Sequence, residues 1–190
     1  MSPQRSNRSA LIDGTLRCLE RLPPERITAR AIAEESGANL ASITYHFGSK
    51  DNLVTEAVIE GLDRWLADIT TALEGLTATT PAARYREASA IIETTRPHHT
   101  GLARNFVGAL AKAQHDPRIR ALLAAGFHRT RPAIAELLGL GSDQPGVDAA
   151  ALVLALFNGL LFQSLLDPTL TIEGPRLDRA QSRLRTILPE

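Results

Sequence analysis

The side chains with the most chemical reach in this chain are five histidines, one cysteine and a cluster of hydroxyl and amide groups near residue 40. His98-His99, His115 and His128 raise the question of a metal site, but neighbours on a helix point to different sides and no carboxylate stands at a ligand interval. Cys18, flanked by Leu16 and Leu19, reads as a small buried filler rather than a nucleophile. The sequence contains no Gly-x-Ser-x-Gly elbow, phosphate-binding loop or dinucleotide fingerprint. The expectation is no metal, no cofactor and no catalysis.

The cluster offers a different chemistry. With Ile43 and Phe47 four apart on the inner side of a short helix, the outer side carries Asn39, Leu40, Ser42, Thr44 and His46, with Tyr45 and Lys50 toward its end. Short hydroxyl and amide groups suit base edges and phosphate oxygens, and Leu40 and Ala41 can lie against thymine methyls. Two readings fit: a face that enters a groove of DNA, or the solvated face of a helix in a bundle.

The elements that position this face are helical. Apolar residues recur at helical spacing along the chain, and alternating strand patterns with Asn-Gly or Asp-Gly hairpin turns are missing, so the expected fold is all-α with about nine helices. Leu11, Ile12, Leu16, Leu19 and Leu22 form one apolar face that Pro23-Pro24 ends. A second helix starts at Thr28, whose hydroxyl caps it, turns Ile32 and Ala33 inward and ends at Gly37. The third, roughly Leu40 to Phe47, ends at Gly48. Ser49 caps a long fourth helix bearing Val54, Val58, Leu62, Trp65, Ile69, Leu73 and Leu76. Thr77 to Pro81, Pro97, Asp116-Pro117, Gly139 to Gly146 and Asp167-Pro168 punctuate the rest, and Pro132 predicts a kink or split between Ile119 and Leu138. Two short helices joined by a glycine-containing turn are the signature of a helix-turn-helix.

Composition narrows the class. With 190 residues, 44% hydrophobic and 22% charged, the chain can bury a core, which excludes a disordered or fibrous protein. Lys plus Arg equal Asp plus Glu at 21 each, so any nucleic-acid binding must be local. Met1 to Lys50 carries Arg5, Arg8, Arg17, Arg21, Arg26, Arg30 and Lys50 against Asp13, Glu20, Glu25, Glu34 and Glu35, a slight basic excess that the remainder reverses. The lone cysteine and the polar stretch Met1 to Ala10 predict a reducing, cytoplasmic setting without a signal peptide. Val147 to Leu166, broken by Asp148, Asn158, Gln163 and Ser164, reads as a buried helix rather than a membrane span.

The stretch from Thr28 to Leu53, TARAIAEESGANLASITYHFGSKDNL, closely resembles the DNA-binding head of the TetR family of transcriptional regulators. The resemblance rests on Thr28, Ile32-Ala33, Gly37, Tyr45-His46-Phe47, Ser49-Lys50 and Leu53, and covers residues 8 to 58 in detail. It implies phosphate-contacting or positioning roles for Thr28, Tyr45, His46 and Lys50, and groove reading by Asn39, Leu40, Ala41 and Ser42. Three positions depart from the pattern. Thr44 replaces the first of the usual aromatic pair, Pro23-Pro24 replaces the glycine between the first two helices, and Asn39 stands where serine is most common. The expected organisation is a DNA-binding domain over residues 1–50 and a ligand-binding and dimerisation domain over 51–190.

A head with few charges binds one half-site weakly, whereas two linked heads can address a palindromic operator in successive major grooves. The apolar run Val147 to Leu166 and the stripe Leu177, Ala180, Leu184, Ile187 and Leu188 suit a symmetric four-helix interface, which the resemblance also implies; closing a monomer core is the other reading. The resemblance further implies a small-molecule effector. Trp65, Asn105, Phe106, Phe127, His128, Phe157 and Asn158 supply the aromatic and polar mixture of a ligand cavity, though each aromatic also suits plain core packing, and Asn158 suits a partner across a dimer. The expected function is a repressor released by a mainly apolar effector. The competing class is an α-helical enzyme or interaction module that uses the helix-turn-helix as scaffold.

Overall fold

A computed structural model describes residues 7–74 and 78–186. Leu76, Thr77, Ile187 and Leu188 lie outside the described residues, as does Arg5. Among those described, the chain forms nine α-helices and no strand: α1 Asn7–Arg21, α2 Ala29–Ser36, α3 Ala41–Phe47, α4 Lys50–Glu74, α5 Pro81–Thr95, α6 Thr100–Ala113, α7 Pro117–Leu138, α8 Gln144–Leu166 and α9 Gly174–Leu184. Three 3-10 turns, Pro24–Arg26, Arg96–His99 and Pro168–Leu170, lie at the joints.

The local signals explain the boundaries. Thr28 Oγ1 accepts the Ala31 N–H at 3.1 Å and opens α2. Gly37, at φ 65°, ends α2 in the left-handed region, where a side chain would strain the backbone. Ser49 Oγ accepts the Asn52 N–H at 3.1 Å ahead of α4, Thr80 does the same for Ala83 before α5, and Asp116 and Asp143 cap α7 and α8.

Two apolar clusters hold the molecule. The first joins Leu11, Leu19, Ile32, Ile43 and Phe47 to Leu53, Val58, Leu102, Phe106 and Ile119, so the packing runs from α1–α3 into α4, α6 and α7. The second gathers Trp65, Ile69 and Leu73 with Ala88, Ile134, Leu138 and Ala150. Helix α4, about 37 Å long at 1.5 Å per residue, has its first half in one cluster and its second half in the other. Helix α6 comes so close to α1 that a Cβ at Gly101 would stand 2.0 Å from the Leu19 carbonyl oxygen.

Two expectations need correction. Of the kink or split expected at Pro132, the split does not occur: helix α7 is one element from Pro117 to Leu138 with Pro132 inside it, and the buried Ile134, Ala135, Leu137 and Leu138 anchor the turns beyond the proline. Helix α8 is not buried within the chain. Only Gly146, Ala150 and Leu161 of it are buried, because α6 and α7 cover one side and, among the described residues, no helix packs extensively on the other. Leu152 and Leu166 are 75% and 84% exposed. By length and composition α8 is also the one helix among the described residues apolar enough to cross a membrane.

Candidate nucleic-acid interface and internal cavity

Helix α3 has two faces. Ile43 and Phe47 are buried against α1 and α4, at 3% and 0% exposure. Leu40, Ala41, Thr44 and Tyr45 are exposed, Tyr45 at 85%, while Ser42 and His46 are half-buried. Asn39 Oδ1 accepts the Ala41 N–H at 2.9 Å and so supports the start of α3 despite the absence of serine there. The Tyr45 and His46 rings meet edge to face at 4.8 Å. A large amphipathic ring left in water, beside a hydroxyl and an imidazole, is a surface able to accept and donate hydrogen bonds to a phosphate backbone. Thr28, with its hydroxyl engaged in capping, is exposed at the start of α2.

The joint behind α3 is cross-braced. Asn52, buried in the first turn of α4, donates from Nδ2 to the Phe47 carbonyl at 2.9 Å, binding the last turn of α3 to α4. Its Oδ1 is the one buried side-chain polar atom without a partner among the described residues. Lys50 Nζ lies 3.2 Å from Asp51 Oδ1 and donates to the Ile27 carbonyl at 3.4 Å, so part of its charge serves the joint. Asp51 also receives Lys112 of α6 at 2.8 Å. Burial alone would raise the Asp51 carboxyl, but hydrogen bonds from Lys112 and Lys50 outweigh it and hold the group below its ordinary value. The Arg118 guanidinium of α7 lies beside Gly48, 3.1 Å from where a Cβ would stand. Asn52, Lys112 and Arg118 were not named from sequence, and sixty residues or more of separation conceal that α6 reaches the start of α4 and α7 the end of α3.

A cavity of about 200 Å³ opens between α4, α5, α7 and α8. Of the residues singled out for a ligand site, Trp65, Phe106, Phe127, Phe157 and Asn158 line it. Two do not. Asn105 returns its amide Nδ2 to the Gly101 carbonyl of its own helix at 2.9 Å, and His128 is exposed on the outer side of α7. Trp65 is 4% exposed, donates from Nε1 to Thr95 Oγ1 at 2.9 Å, and meets Phe157 at 5.6 Å and His99 at 4.4 Å between ring centres. Burial holds the His99 imidazole below its ordinary value. The cavity wall also carries a polar set that the sequence reading passed over: Glu93, Arg96 and Glu173. Arg96 is ion-paired with Glu173 and donates to Thr171 Oγ1, so α5 is tied to the segment ahead of α9. Cys18 is buried in the first cluster, and its thiol is pushed up by that burial. No group of three or more His, Cys, Asp or Glu side chains is placed to hold a metal among the described residues.

Residues 11–57 match the family model of bacterial regulatory proteins, tetR family, and residues 108–190 match that of the tetracyclin repressor-like C-terminal domain. No curated protein matches the chain. Among solved structures, the chain is similar to the multidrug binding protein EbrR complexed with imidazole, at 25% identity and TM-score 0.61, over 98% of this chain and 97% of that one. A candidate transcriptional regulator of Saccharomonospora viridis in complex with choline is 21% identical with TM-score 0.59, over 84% and 85%. A TetR transcriptional regulator of Rhodococcus sp. RHA1 shares the fold at 12% identity and TM-score 0.65, over 85% of each chain.

Proposed function

The chain belongs to the TetR family of transcriptional regulators, and we propose that within it this protein is a dimeric repressor released from a palindromic operator by a small, mainly apolar molecule. The observation that carries the DNA half of this reading is the α3 surface: Tyr45, Thr44, Leu40 and Ala41 face solvent while Ile43 and Phe47 hold the helix from behind. Asn39, Leu40, Ala41 and Ser42 read base edges; Thr28, Thr44, Tyr45, His46 and Lys50 position the helix on the phosphates. Residues 1–50 are the reading domain and 51–190 the sensing and pairing domain, although one apolar cluster crosses the boundary between them.

The exposed apolar side of α8 supports pairing through α8 and α9. A second copy covers Leu152 and Leu156, and two heads on one body gain the effective concentration that a single, weakly charged head lacks. The same dimer takes α8 out of solvent without a membrane. Trp65, Phe106, Phe127, Phe157 and Asn158 line the effector cavity, and the small molecule held by EbrR supports that use.

Release is an energetic linkage. An effector that favours a spacing of the heads mismatched to two grooves weakens DNA binding by the same factor that DNA weakens effector binding, typically about 1–3 kcal/mol. The Arg118, Lys112 and Asp51 contacts at the α3–α4 joint are the route by which α6 and α7, the latter also a wall of the cavity, bear on the head. A gel shift on the DNA upstream of its own gene tests this reading. A retarded band that competitor DNA of unrelated sequence does not displace supports it, and equal displacement by any DNA contradicts it.

A further inference from the structure

Three carboxylates, Asp63, Glu93 and Glu173, and one guanidinium, Arg96, stand on the cavity wall. Two of the three acids are matched. Glu173 pairs with Arg96, and Asp63 pairs at 2.9 Å with Arg129, which is not part of the wall. Glu93 Oε1 accepts only the Gly174 backbone N–H, at 2.8 Å, and no cationic side chain lies within ion-pair distance of it among the described residues. One negative charge is therefore left over in a wall that is otherwise mostly apolar.

The placement of that charge follows from helix periodicity. Tyr85, Ser89 and Glu93 recur every four residues and form one stripe along α5, which Arg96, opening the 3-10 turn that follows the helix, continues; all four line the cavity. The opposite walls, from α4, α7 and α8, present Trp65, Phe127 and Phe157. An apolar molecule with one cationic group satisfies both sides: its body displaces water from the aromatic wall, and its charge meets Glu93. A neutral molecule leaves the charge of Glu93 unmatched, and an anion is repelled by it.

We infer that the effector is an organic cation with an apolar body, its ammonium or amidinium seated at Glu93. This rests on the effector cavity proposed above and adds the class of molecule it takes. Glu93 also holds the N–H of Gly174, the first residue of α9, so a cation drawing on its carboxylate acts directly on the start of a helix assigned to the dimer interface.

Trp65 is the single tryptophan of the chain and lines the cavity, so its fluorescence reports occupancy. The experiment titrates the full-length protein with octylammonium, 1-octanol and octanoate, three heads on one tail. The expected order is octylammonium at least tenfold tighter than octanol, with octanoate weakest. In E93Q, whose amide oxygen can still accept the Gly174 N–H, the ammonium-to-alcohol ratio falls to about one, and in E93D a preference persists. Each ratio is taken on one preparation, so a misfolded fraction cancels. Octanol or octanoate binding as tightly as octylammonium, or a ratio unchanged in E93Q, overturns the cation assignment and leaves the cavity standing. Silence of Trp65 toward all three overturns the effector cavity itself, and the cation assignment with it.

Discussion

Tyr45 is the side chain most out of place in a protein that kept α3 only for scaffolding, since a ring 85% exposed contributes little packing. Its value must lie in what it meets. Replacing Tyr45 or Lys50 with alanine is expected to lower affinity for all DNA sequences alike, and K50A to reduce the slope of log affinity against log salt by about 1. Replacing Leu40 or Ser42 is expected to change which sequence is preferred, at about 1–3 kcal/mol for the affected base pair. Binding titrations by fluorescence anisotropy at several salt concentrations check both, and four variants indistinguishable from the parent would remove α3 from the interface. In the body, His99 makes a statement about acid. Burial against Trp65 disfavours its imidazolium, so the folded state binds the proton less readily than the unfolded chain, whose value is near 6.5. Stability is thus full above that value and declines as the pH falls from it toward the lower folded value. Melting temperatures between pH 7 and pH 5 should drop, and drop less in H99Q; an equal drop in both would assign the loss to other groups.

Helix starts and stops were legible from sequence because the signals are local. Thr28, Ser49, Gly37 and Gly48 act within one turn of themselves, and the structure shows each at the end it marks. The inward pair Ile43 and Phe47 was legible for the same reason. What sequence did not disclose depends on which way a helix is rolled against partners far along the chain. Asn105 satisfies its amide on its own helix, and His128 falls on the outer side of α7, although both stand on helices that border the first cluster. Glu93 on α5 and Arg96 in the turn after it find their partners, Gly174 and Glu173, only far along the chain. The closeness of α1 and α6 is of this long-range kind. G101A would push a methyl into the Leu19 carbonyl, and since overpacking commonly costs about 1–3 kcal/mol, a loss near the upper end is expected from the urea unfolding midpoint. An unchanged midpoint would show that the two helices are not seated this tightly.

For the whole molecule, the uncovered side of α8 is what the proposed pairing would cover, and that pairing would set the spacing of the heads. Introducing a charge at the centre of that side, as in L152E, is expected to shift the protein from dimer to monomer in sedimentation velocity while its helix content persists. Operator affinity should fall with it, since each head then binds alone. Hydroxyl-radical footprinting on the DNA upstream of its own gene reads where the proposed two copies of α3 would meet the duplex. Two protected patches on one face of the double helix, centred about one turn or a whole number of turns apart and equally weakened by Y45A, are the expected result. A single patch, or protection that L152E leaves intact at the same protein concentration, would contradict a paired reading of the operator.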